Sequence, residues 1–208
     1  NGGPTLTYTF DAMSRPIRLT DNQAVDWAKD VAYNAAGQMT QLSTTNTTGG
    51  TSYRTETRQY NALGQMTQLA VPGVMGYQYT YSATQNNGQI TQRTDAISGE
   101  VVNYQYDSLK RLILAETAGP QWGQSFSYDG FGNLLSQTVT KGSAPSMSVG
   151  VDPATNRIVG YGYDLNGNLT SMPLVTMSYD VENRLVQATH TYNGTDHYVY
   201  DPANRRIW

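Results

Sequence analysis

The sequence contains no cysteine among its 208 residues. This absence excludes a disulfide framework, a thiolate zinc site and a cysteine nucleophile. It is compatible with an oxidising, extracellular location, in which proteins often but not always carry disulfides. Charged residues are also scarce, at 14% of the chain, whereas soluble domains usually carry about 25%.

Clusters of positive charge and long apolar runs are missing as well. The 13 Lys and Arg residues form no run, and the net charge is −3, so the electrostatic footprint of a nucleic-acid-binding protein is absent. No apolar stretch approaches the ~18 residues that a membrane-spanning helix needs. No phosphate-binding loop, dinucleotide fingerprint or GxSxG motif occurs. The sequence therefore predicts no nucleic-acid partner, no membrane insertion, no cofactor and no enzymatic activity.

Uncharged polar residues dominate instead, and the chain contains 20 Gly and 16 Tyr. Thr and Tyr suit a pleated, half-buried surface. Two nearly identical segments lie 27 positions apart, YNAAGQMTQL at 33–42 and YNALGQMTQL at 60–69. Self-similarity at such a period is typical of stacked repeats.

The repeated unit reads aromatic–x–aromatic–Asp/Asn–x–x–Gly/Asn–x–apolar. Eight regular copies and two longer ones are present, at 8–16, 31–39, 58–66, 79–90, 104–112, 126–134, 149–158, 161–169, 177–185 and 198–206. Aromatic residues two apart share one face of a strand. The second aromatic is a tyrosine in eight copies: Tyr33, Tyr60, Tyr81, Tyr106, Tyr128, Tyr163, Tyr179 and Tyr200.

The middle of the unit has the chemistry of a tight turn. An Asp at the first turn position can accept a hydrogen bond from the backbone two residues on; these are Asp107, Asp129, Asp164, Asp180 and Asp201. Three residues later the chain needs a positive φ, which Gly adopts most readily and Asn next. The residues at this position include Gly37, Gly64, Gly132, Gly167, Asn183 and Asn204, with Ser14 and Lys110 as exceptions.

Each unit is therefore predicted to be a β-hairpin, and links rich in Gly, Ser and Thr, such as 43–52, 70–76 and 140–146, to be the turns and loops between units. A lone hairpin is marginal in water, whereas neighbouring hairpins bury one another's aromatic faces. The sequence predicts an all-β fold with about ten β-hairpins in one continuous antiparallel sheet. Residues 1–208 are expected to form a single array, cut from a longer protein because both termini fall close to repeats.

The pattern Y-x-Y-D-x-x-G-[RN]-L resembles the YD repeats of Rhs proteins, of the BC components of insecticidal toxin complexes and of teneurins. YQYDSLKRL at 104–112 and FSYDGFGNL at 126–134 are typical copies. The resemblance implies a sheet that spirals into a hollow shell or tube. It also implies a container wall around a passenger such as a toxin domain, in a secreted or surface protein of a bacterium. The partners implied are the rest of the shell or further copies of the repeat, an enclosed polypeptide and, in some relatives, a glycan.

Rival interpretations remain open at this point. The same repeats would also suit an extracellular filament or an adhesion module that binds carbohydrate. An enzyme would need an acidic pair outside the repeat, and Glu56, Glu100, Glu116 and Glu182 are the glutamates available. The turn residues Asp129 and Asp164 would be the alternative pair, although copies with Asn at this position cannot perform acid chemistry.

Two metal sites and one helix are further alternatives. His190 and His197 would face each other across strands, with Asp196 or Glu182 as a third ligand. The segment DLNGN at 164–168 loosely resembles a calcium loop. A short helix could begin within 21–36, with Asn22 as its N-cap. In each case exposed loops or the repeat itself already explain the residues.

Overall fold

Strands and turns make up the part of the chain that the structure describes. The computed structural model describes residues 3, 5–45 and 52–207, and most of the predicted loop 43–52 lies outside these residues. Within them no helix occurs. The prediction of an all-β, antiparallel hairpin fold is confirmed.

Thirteen strands follow one another in a single antiparallel sheet, in which sequence order is also spatial order. They are β1 (Leu6–Phe10), β2 (Pro16–Asp21), β3 (Asp26–Tyr33), β4 (Met39–Thr45), β5 (Tyr53–Tyr60), β6 (Met66–Val71), β7 (Met75–Tyr81), β8 (Ile90–Asp95), β9 (Val101–Tyr106), β10 (Leu112–Thr117), β11 (Trp122–Tyr128), β12 (Leu134–Gly142) and β13 (Met147–Ser148).

Seven shorter strands follow. A two-stranded sheet contains β14 (Val151–Asp152) and β15 (Arg157–Ile158); a five-stranded sheet contains β16 (Gly162–Tyr163), β17 (Leu169–Met172), β18 (Val175–Tyr179), β19 (Leu185–His190) and β20 (Gly194–His197). The chain divides into two compact units. The first is Asn1–Phe126 with Gln137–Ser146, and the second is Ser127–Ser136 with Met147–Trp208.

Nine of the ten repeats form a hairpin of two strands, and the last one, 198–206, is closed by the single bridge between Tyr200 and Arg206. The register changes by one residue at the base of the turn. In β5 and β6, Gln59 pairs with Gln68, whereas Tyr60 pairs with Met66. The shift arises because a five-residue turn with one left-handed residue leaves one strand a residue longer, which is a β-bulge. The same shift occurs next to Phe10, Tyr33, Tyr81, Tyr163 and Tyr179.

The region 21–36 shows the error in the helix alternative. Asp21 ends β2, Asp26 begins β3, and a turn joins them in which Ala24 has a φ of 60°. The carboxylate of Asp21 accepts hydrogen bonds from the backbone of Gln23 and Val25, both at 2.9 Å. Val25 lies in this turn and Trp27 in β3, so their spacing does not reflect a helix. Asn22 therefore caps no helix.

Few side chains are fully buried. Among the described residues the buried apolar side chains are Val71, Val102, Ala115 and Ala188, and only Val102 is completely covered. Two buried hydroxyls are paired: that of Thr117 shares its one hydrogen between the carbonyls of Gly119 and Trp122 and accepts the Trp122 N–H, and those of Ser43 and Thr55 share a hydrogen bond. With so small an apolar core, polar contacts between hairpins acquire more weight in holding the sheet together.

Candidate functional site

The turn of each repeat is organised by one carboxylate. In the turn 180–184, Asp180 Oδ1 accepts the backbone N–H groups of Glu182 and Arg184, at 2.9 and 3.0 Å. Asp180 Oδ2 accepts Nε of Arg184 at 2.7 Å. Backbone bonds between residues 180 and 184 and between 183 and 180 close the turn. We number the turn positions 1 to 5, so that Asp180 is position 1 and Arg184 is position 5.

The other regular turns repeat this arrangement. Position 1 accepts the backbone N–H groups of positions 3 and 5 in the turns that begin at Asp11, Asn34, Asn61, Asp107, Asp129, Asp164 and Asp201. Position 4 has a positive φ in all of them: Ser14, Gly37, Gly64, Lys110, Gly132, Gly167, Asn183 and Asn204. The longer copies place Gly88 and Asn156 in the same conformation.

These hydrogen bonds stabilise the charged form of the carboxylates. The backbone N–H of position 5 is the largest cause that lowers the pKa of Asp107, Asp180 and Asp201 below the ordinary value of 3.8. At Asp129 and Asp164 the side-chain amide of position 5 is the largest cause of the lowered pKa.

We expect the Asp turns to lose stability in acid. A lowered folded-state pKa contributes stability that is present above about pH 3.8, the ordinary value, and lost as the pH falls through the folded-state pKa. Hydrogen exchange measured between pH 5 and pH 2, corrected for intrinsic rates, should show the Asp turns opening. The turns at 34–38 and 61–65 begin with Asn and serve as internal controls. Equal opening in both classes would contradict the assignment.

Exchange of Asp for Asn should depend on the residue at position 5. In Asp180→Asn the new amide N–H would point at the N–H of Arg184 Nε, so that two donors face each other. In Asp129→Asn the side-chain amide of Asn133 can rotate, so that its oxygen accepts the new N–H. We therefore expect a larger fall in the urea midpoint for Asp180→Asn than for Asp129→Asn. Adding Arg184→Gln to Asp180→Asn should recover part of the loss, because it recreates the Asn61–Gln65 amide pair, 2.7 Å long. Equal losses in both single variants would refute this rule.

The repeat tyrosines join successive hairpins. In the first unit, the Tyr60 hydroxyl donates to the carbonyl of Met39 at 2.9 Å, and that of Tyr81 to Met66 at 2.8 Å. The same bond joins Tyr33 to Pro16 and Tyr106 to Ile90. In every case the acceptor is the first residue after the preceding turn, which we call position 6.

The second unit has the same bonds. The Tyr179 hydroxyl donates to the Leu169 carbonyl at 3.0 Å, and that of Tyr200 to Leu185 at 2.9 Å. Tyr163 differs, because its hydroxyl accepts the backbone N–H of Ile158. Its predecessor is the degenerate copy at 149–158, with Val151 in the aromatic place. Tyr128 ends β11.

Position 5 links neighbouring turns. In the first unit, the Gln38 amide donates to the Gly64 carbonyl at 2.7 Å, and the amides of Gln65 and Asn86 form two hydrogen bonds of 2.8 Å. In the second unit, Asn168 donates to Asn183 and Arg184 to Asn204, both at 2.8 Å. In each of these four links a position 5 side chain reaches the next turn.

Arginine at position 5 also covers the next tyrosine. The Arg15 guanidinium lies 4.4 Å from the centre of the Tyr33 ring, and that of Arg184 lies 5.0 Å from the Tyr200 ring. These are cation–π distances. One arginine thus holds its own carboxylate, the neighbouring aromatic ring and, at Arg184, the neighbouring turn.

The general repeat unit leaves position 5 undefined and the YD pattern gives Arg or Asn there, but neither predicts that this side chain contacts the next turn. The signal was available, because all ten copies have Arg, Gln or Asn immediately before position 6. In the regular turns Gln also follows only those that begin with Asn, as at Asn34 and Asn61. Arg, Gln and Asn each carry more than one N–H donor. One donor can reach the position 1 side chain of the same turn, and another can reach the neighbouring turn.

The other candidate residues are engaged elsewhere. Each of the four candidate glutamates pairs with a cation, although Glu182 lies within the turn 180–184: Glu56 with Arg58, Glu100 with Arg93, Glu116 with Lys141 and Glu182 with Arg184. Glu100 also accepts the indole N–H of Trp122. Asp129 and Asp164 both serve as position 1 of their turns.

The histidines do not face each other. His190 lies opposite Gly194 and His197 opposite Gln187, and His190 lies 3.2 Å from the Asp196 carboxylate. In the segment 164–168, the amide groups of Asn166 and Asn168 donate to Asn183. The described part of the chain contains no group of three His, Asp or Glu residues arranged to hold a metal ion. The same described residues contain no helix, and therefore none that is long and apolar enough to cross a membrane.

The family model for the teneurin YD-shell matches residues 97–208, more than half of the chain. The chain belongs to the teneurin YD-shell family. The resemblance read from the YD repeats is thereby confirmed, and a structural shell role follows from the family. No curated protein sequence matches the chain.

The YD-shell fold also agrees with solved structures. The TcdB2–TccC3–Cdc42 crystal structure has a TM-score of 0.62 and 15% identity, and covers 98% of this chain and 13% of that chain. A variant of the Photorhabdus luminescens Tc holotoxin pore has a TM-score of 0.59 and 16% identity, and covers 97% of this chain and 13% of that chain. The likeness therefore concerns the fold, over about an eighth of the length of those chains.

Proposed function

We propose that this YD-shell chain forms a section of the wall of a hollow β-shell that encloses a passenger polypeptide. The observation that carries the proposal is a pair of hydrogen bonds between successive hairpins, which we call the staple. In a staple the tyrosine hydroxyl of one hairpin donates to the backbone of the preceding hairpin, as Tyr60 does to Met39, and a position 5 side chain contacts the following turn, as Gln38 does at Gly64. In such a wall each added hairpin brings its own contacts with its neighbour. The wall can therefore contain many hairpins without a large apolar core.

The wall has a structural role and no catalytic one in this proposal. Its acidic residues support the view, because the repeat carboxylates bind backbone N–H groups of their own turns, and the four other glutamates are paired with cations. We accordingly propose that the wall is held together by two sets of repeat residues. These are the turn residues at positions 1 and 4, such as Asp107 and Asn204, and the strand tyrosines from Tyr33 to Tyr200. No cofactor is required.

Secretion or surface display is the location we propose. The low charge content supports it, since a surface of hydroxyls and amides stays soluble without depending on ionic conditions. The Photorhabdus luminescens holotoxin among the similar structures supports a bacterial source. The passenger would be isolated from solvent by the wall, and a toxin domain is the passenger class that the Tc resemblance favours.

Electron microscopy of the intact protein that carries this sequence, purified without unfolding, tests the proposal. Closed hollow particles of one size are expected. Mass spectrometry should then detect a polypeptide that resists added protease until the particles are unfolded in denaturant. Closed particles without a protected polypeptide would refute encapsulation, and the absence of closed particles would refute the shell itself.

A filament or adhesion module is the second candidate function. The contacts from hairpin to hairpin favour it, because the same contacts would join successive hairpins in a filament as in a shell wall. Long tubes or fibres of constant width in the same micrographs would favour this candidate. Binding of the fibres to an immobilised glycan panel would then test its adhesive form.

A further inference from the structure

Two repeat turns contain an asparagine followed directly by glycine, at 87–88 and at 166–167. Asparagine is a thermolabile residue, and a following glycine leaves the backbone nitrogen sterically open because it has no Cβ. The side-chain amide of an asparagine can then react with the nitrogen of the next residue. Which pair reacts depends on how the turn holds the amide and that nitrogen.

The Asn87 side chain is bent back onto the chain that follows it. Its oxygen accepts the backbone N–H of Gln89 at 3.1 Å, which is an Asx turn. The ring that this bond closes contains Cγ of Asn87 and the nitrogen of Gly88, so the bond brings these two atoms toward each other. The same N–H polarises the side-chain carbonyl and faces the oxygen on which negative charge would develop.

The nitrogen of Gly88 is also oriented. Its N–H donates to Oδ1 of Asn86 at 3.1 Å, which fixes the plane of the peptide group between residues 87 and 88. Asn86 is held in turn by two hydrogen bonds of 2.8 Å to Gln65, the position 5 residue of the preceding turn. Gly88 has a φ of 89°, and a Cβ added there would meet no atom within 4 Å. The reacting atoms are therefore positioned and open to water.

We propose that Asn87 is a site of spontaneous deamidation, in which its side chain forms a succinimide with the backbone nitrogen of Gly88. The Gly88 nitrogen loses its proton to solvent hydroxide and forms a bond to Cγ of Asn87. The bond from Cγ to Nδ2 then breaks, and the side-chain nitrogen takes a proton from water and leaves as ammonia. Water opens the ring at either carbonyl carbon and leaves aspartate or isoaspartate at position 87. The inference does not depend on a passenger or on a closed shell.

The pair at 166–167 lacks the Asx turn. The Asn166 amide donates to Asn183 at 2.9 Å, which directs the side chain to the neighbouring turn. The N–H two residues on, that of Asn168, binds Asp164 instead. The N–H of Gly167 closes the turn on the Asp164 carbonyl at 3.2 Å. Both partners of the reaction are thus engaged elsewhere.

Other bent side chains lack a different feature. Asn34 and Asn61 accept the N–H two residues on, at 3.0 Å in both cases, but each is followed by alanine, whose Cβ crowds the nitrogen. Asp129 precedes Gly130 and accepts the N–H of Phe131. Hydrogen bonding from the side-chain amide of position 5 lowers the pKa of Asp129, so its carboxylate stays ionised and resists attack by a nucleophile.

The product would change the chemistry of the turn. Residues 82–88 carry no charged side chain, so the new carboxylate introduces a negative charge. Gln89 Oε1 accepts Nδ2 of Asn87 at 2.5 Å, and Gln89 Nε2 is buried without a hydrogen-bond partner. Loss of Nδ2 allows the Gln89 amide to turn its nitrogen toward the carboxylate. The reaction therefore supplies the acceptor that this amide lacks.

Peptide mapping by mass spectrometry tests the inference on the 208-residue chain, incubated in mildly alkaline buffer. A second sample is kept unfolded in guanidinium chloride, which removes the Asx turn and leaves both Asn-Gly pairs intact. In the folded chain Asn87 should deamidate at least about tenfold faster than Asn166, because Asn166 must first break its hydrogen bonds. In the unfolded chain the two rates should be nearly equal.

Two variants at Gln89 isolate the role of the Asx turn. Gln89→Pro removes the N–H that faces the Asn87 oxygen and should slow deamidation of Asn87 at least about fivefold. Gln89→Ala keeps that N–H, so it is the matched control and should not slow the reaction. Far-UV circular dichroism establishes that both variants keep the fold.

Three results would overturn the proposal. Equal rates at Asn87 and Asn166 in the folded chain would show that the turn gives no selectivity. A slower reaction of Asn87 in the folded than in the unfolded chain would show that the turn protects it. A folded Gln89→Pro variant that reacts at the wild-type rate would show that the Asx turn does not assist. The first two comparisons need no variant, so they hold even if Gln89→Pro fails to fold.

Discussion

Tyr106→Ala is expected to lower the free energy of unfolding by about 2–4 kcal/mol, below the range for fully buried aromatics because the ring is half-buried. The substitution removes the ring that packs between neighbouring hairpins and the hydroxyl that donates to Ile90 at 2.9 Å. Tyr106→Phe keeps the ring and removes only the hydrogen bond, so about 1 kcal/mol is expected. Urea unfolding followed by far-UV circular dichroism measures both changes.

Tyr192 provides the control for these two variants. It lies in the turn between β19 and β20 and is 81% exposed. Tyr192→Ala should change the stability by less than about 0.5 kcal/mol, as surface substitutions usually do. If Tyr106→Ala and Tyr192→Ala were equally mild, the tyrosine staple would not hold the hairpins together.

Local chemistry explains why so much of the hairpin was predictable. A tight turn must provide a left-handed residue and an acceptor for its backbone N–H groups, and both needs appear as residue types within five positions, as at Asp164 and Gly167. Repetition then averages over exceptions such as Lys110, whose φ is 65° despite its side chain. Strand order follows because successive hairpins need no crossover.

Contacts between repeats were harder to foresee. The bond from Tyr60 to the Met39 carbonyl spans 21 residues, and its acceptor is a backbone atom that leaves no mark on the sequence. The role of Arg184 depends on four partners at once, of which only Asp180 and Glu182 lie in its own turn. The turn at Asp21 escaped notice because it stands outside the repeat, although its bonds to Gln23 and Val25 match those of the repeat turns.

The left-handed residue of the turn offers the second large effect. Gly132 has a φ of 92°, and a Cβ added there would meet no atom within 4 Å. Any cost of substitution therefore comes from backbone strain and not from a clash. We expect Gly132→Val to destabilise the protein by about 1–3 kcal/mol, because β-branched residues are strongly disfavoured at positive φ.

Asparagine at the same position isolates the conformational cause. Asn183 and Asn204 occupy position 4 natively, both with a φ of 61°. Gly132→Asn should therefore be nearly silent, within about 0.5 kcal/mol, since asparagine tolerates this conformation. Gly130→Val in the same turn is the matched control for side-chain size, because Gly130 has an equally open surrounding and no positive φ. If all three variants unfolded at the wild-type urea concentration, the positive φ at position 4 would contribute nothing to stability.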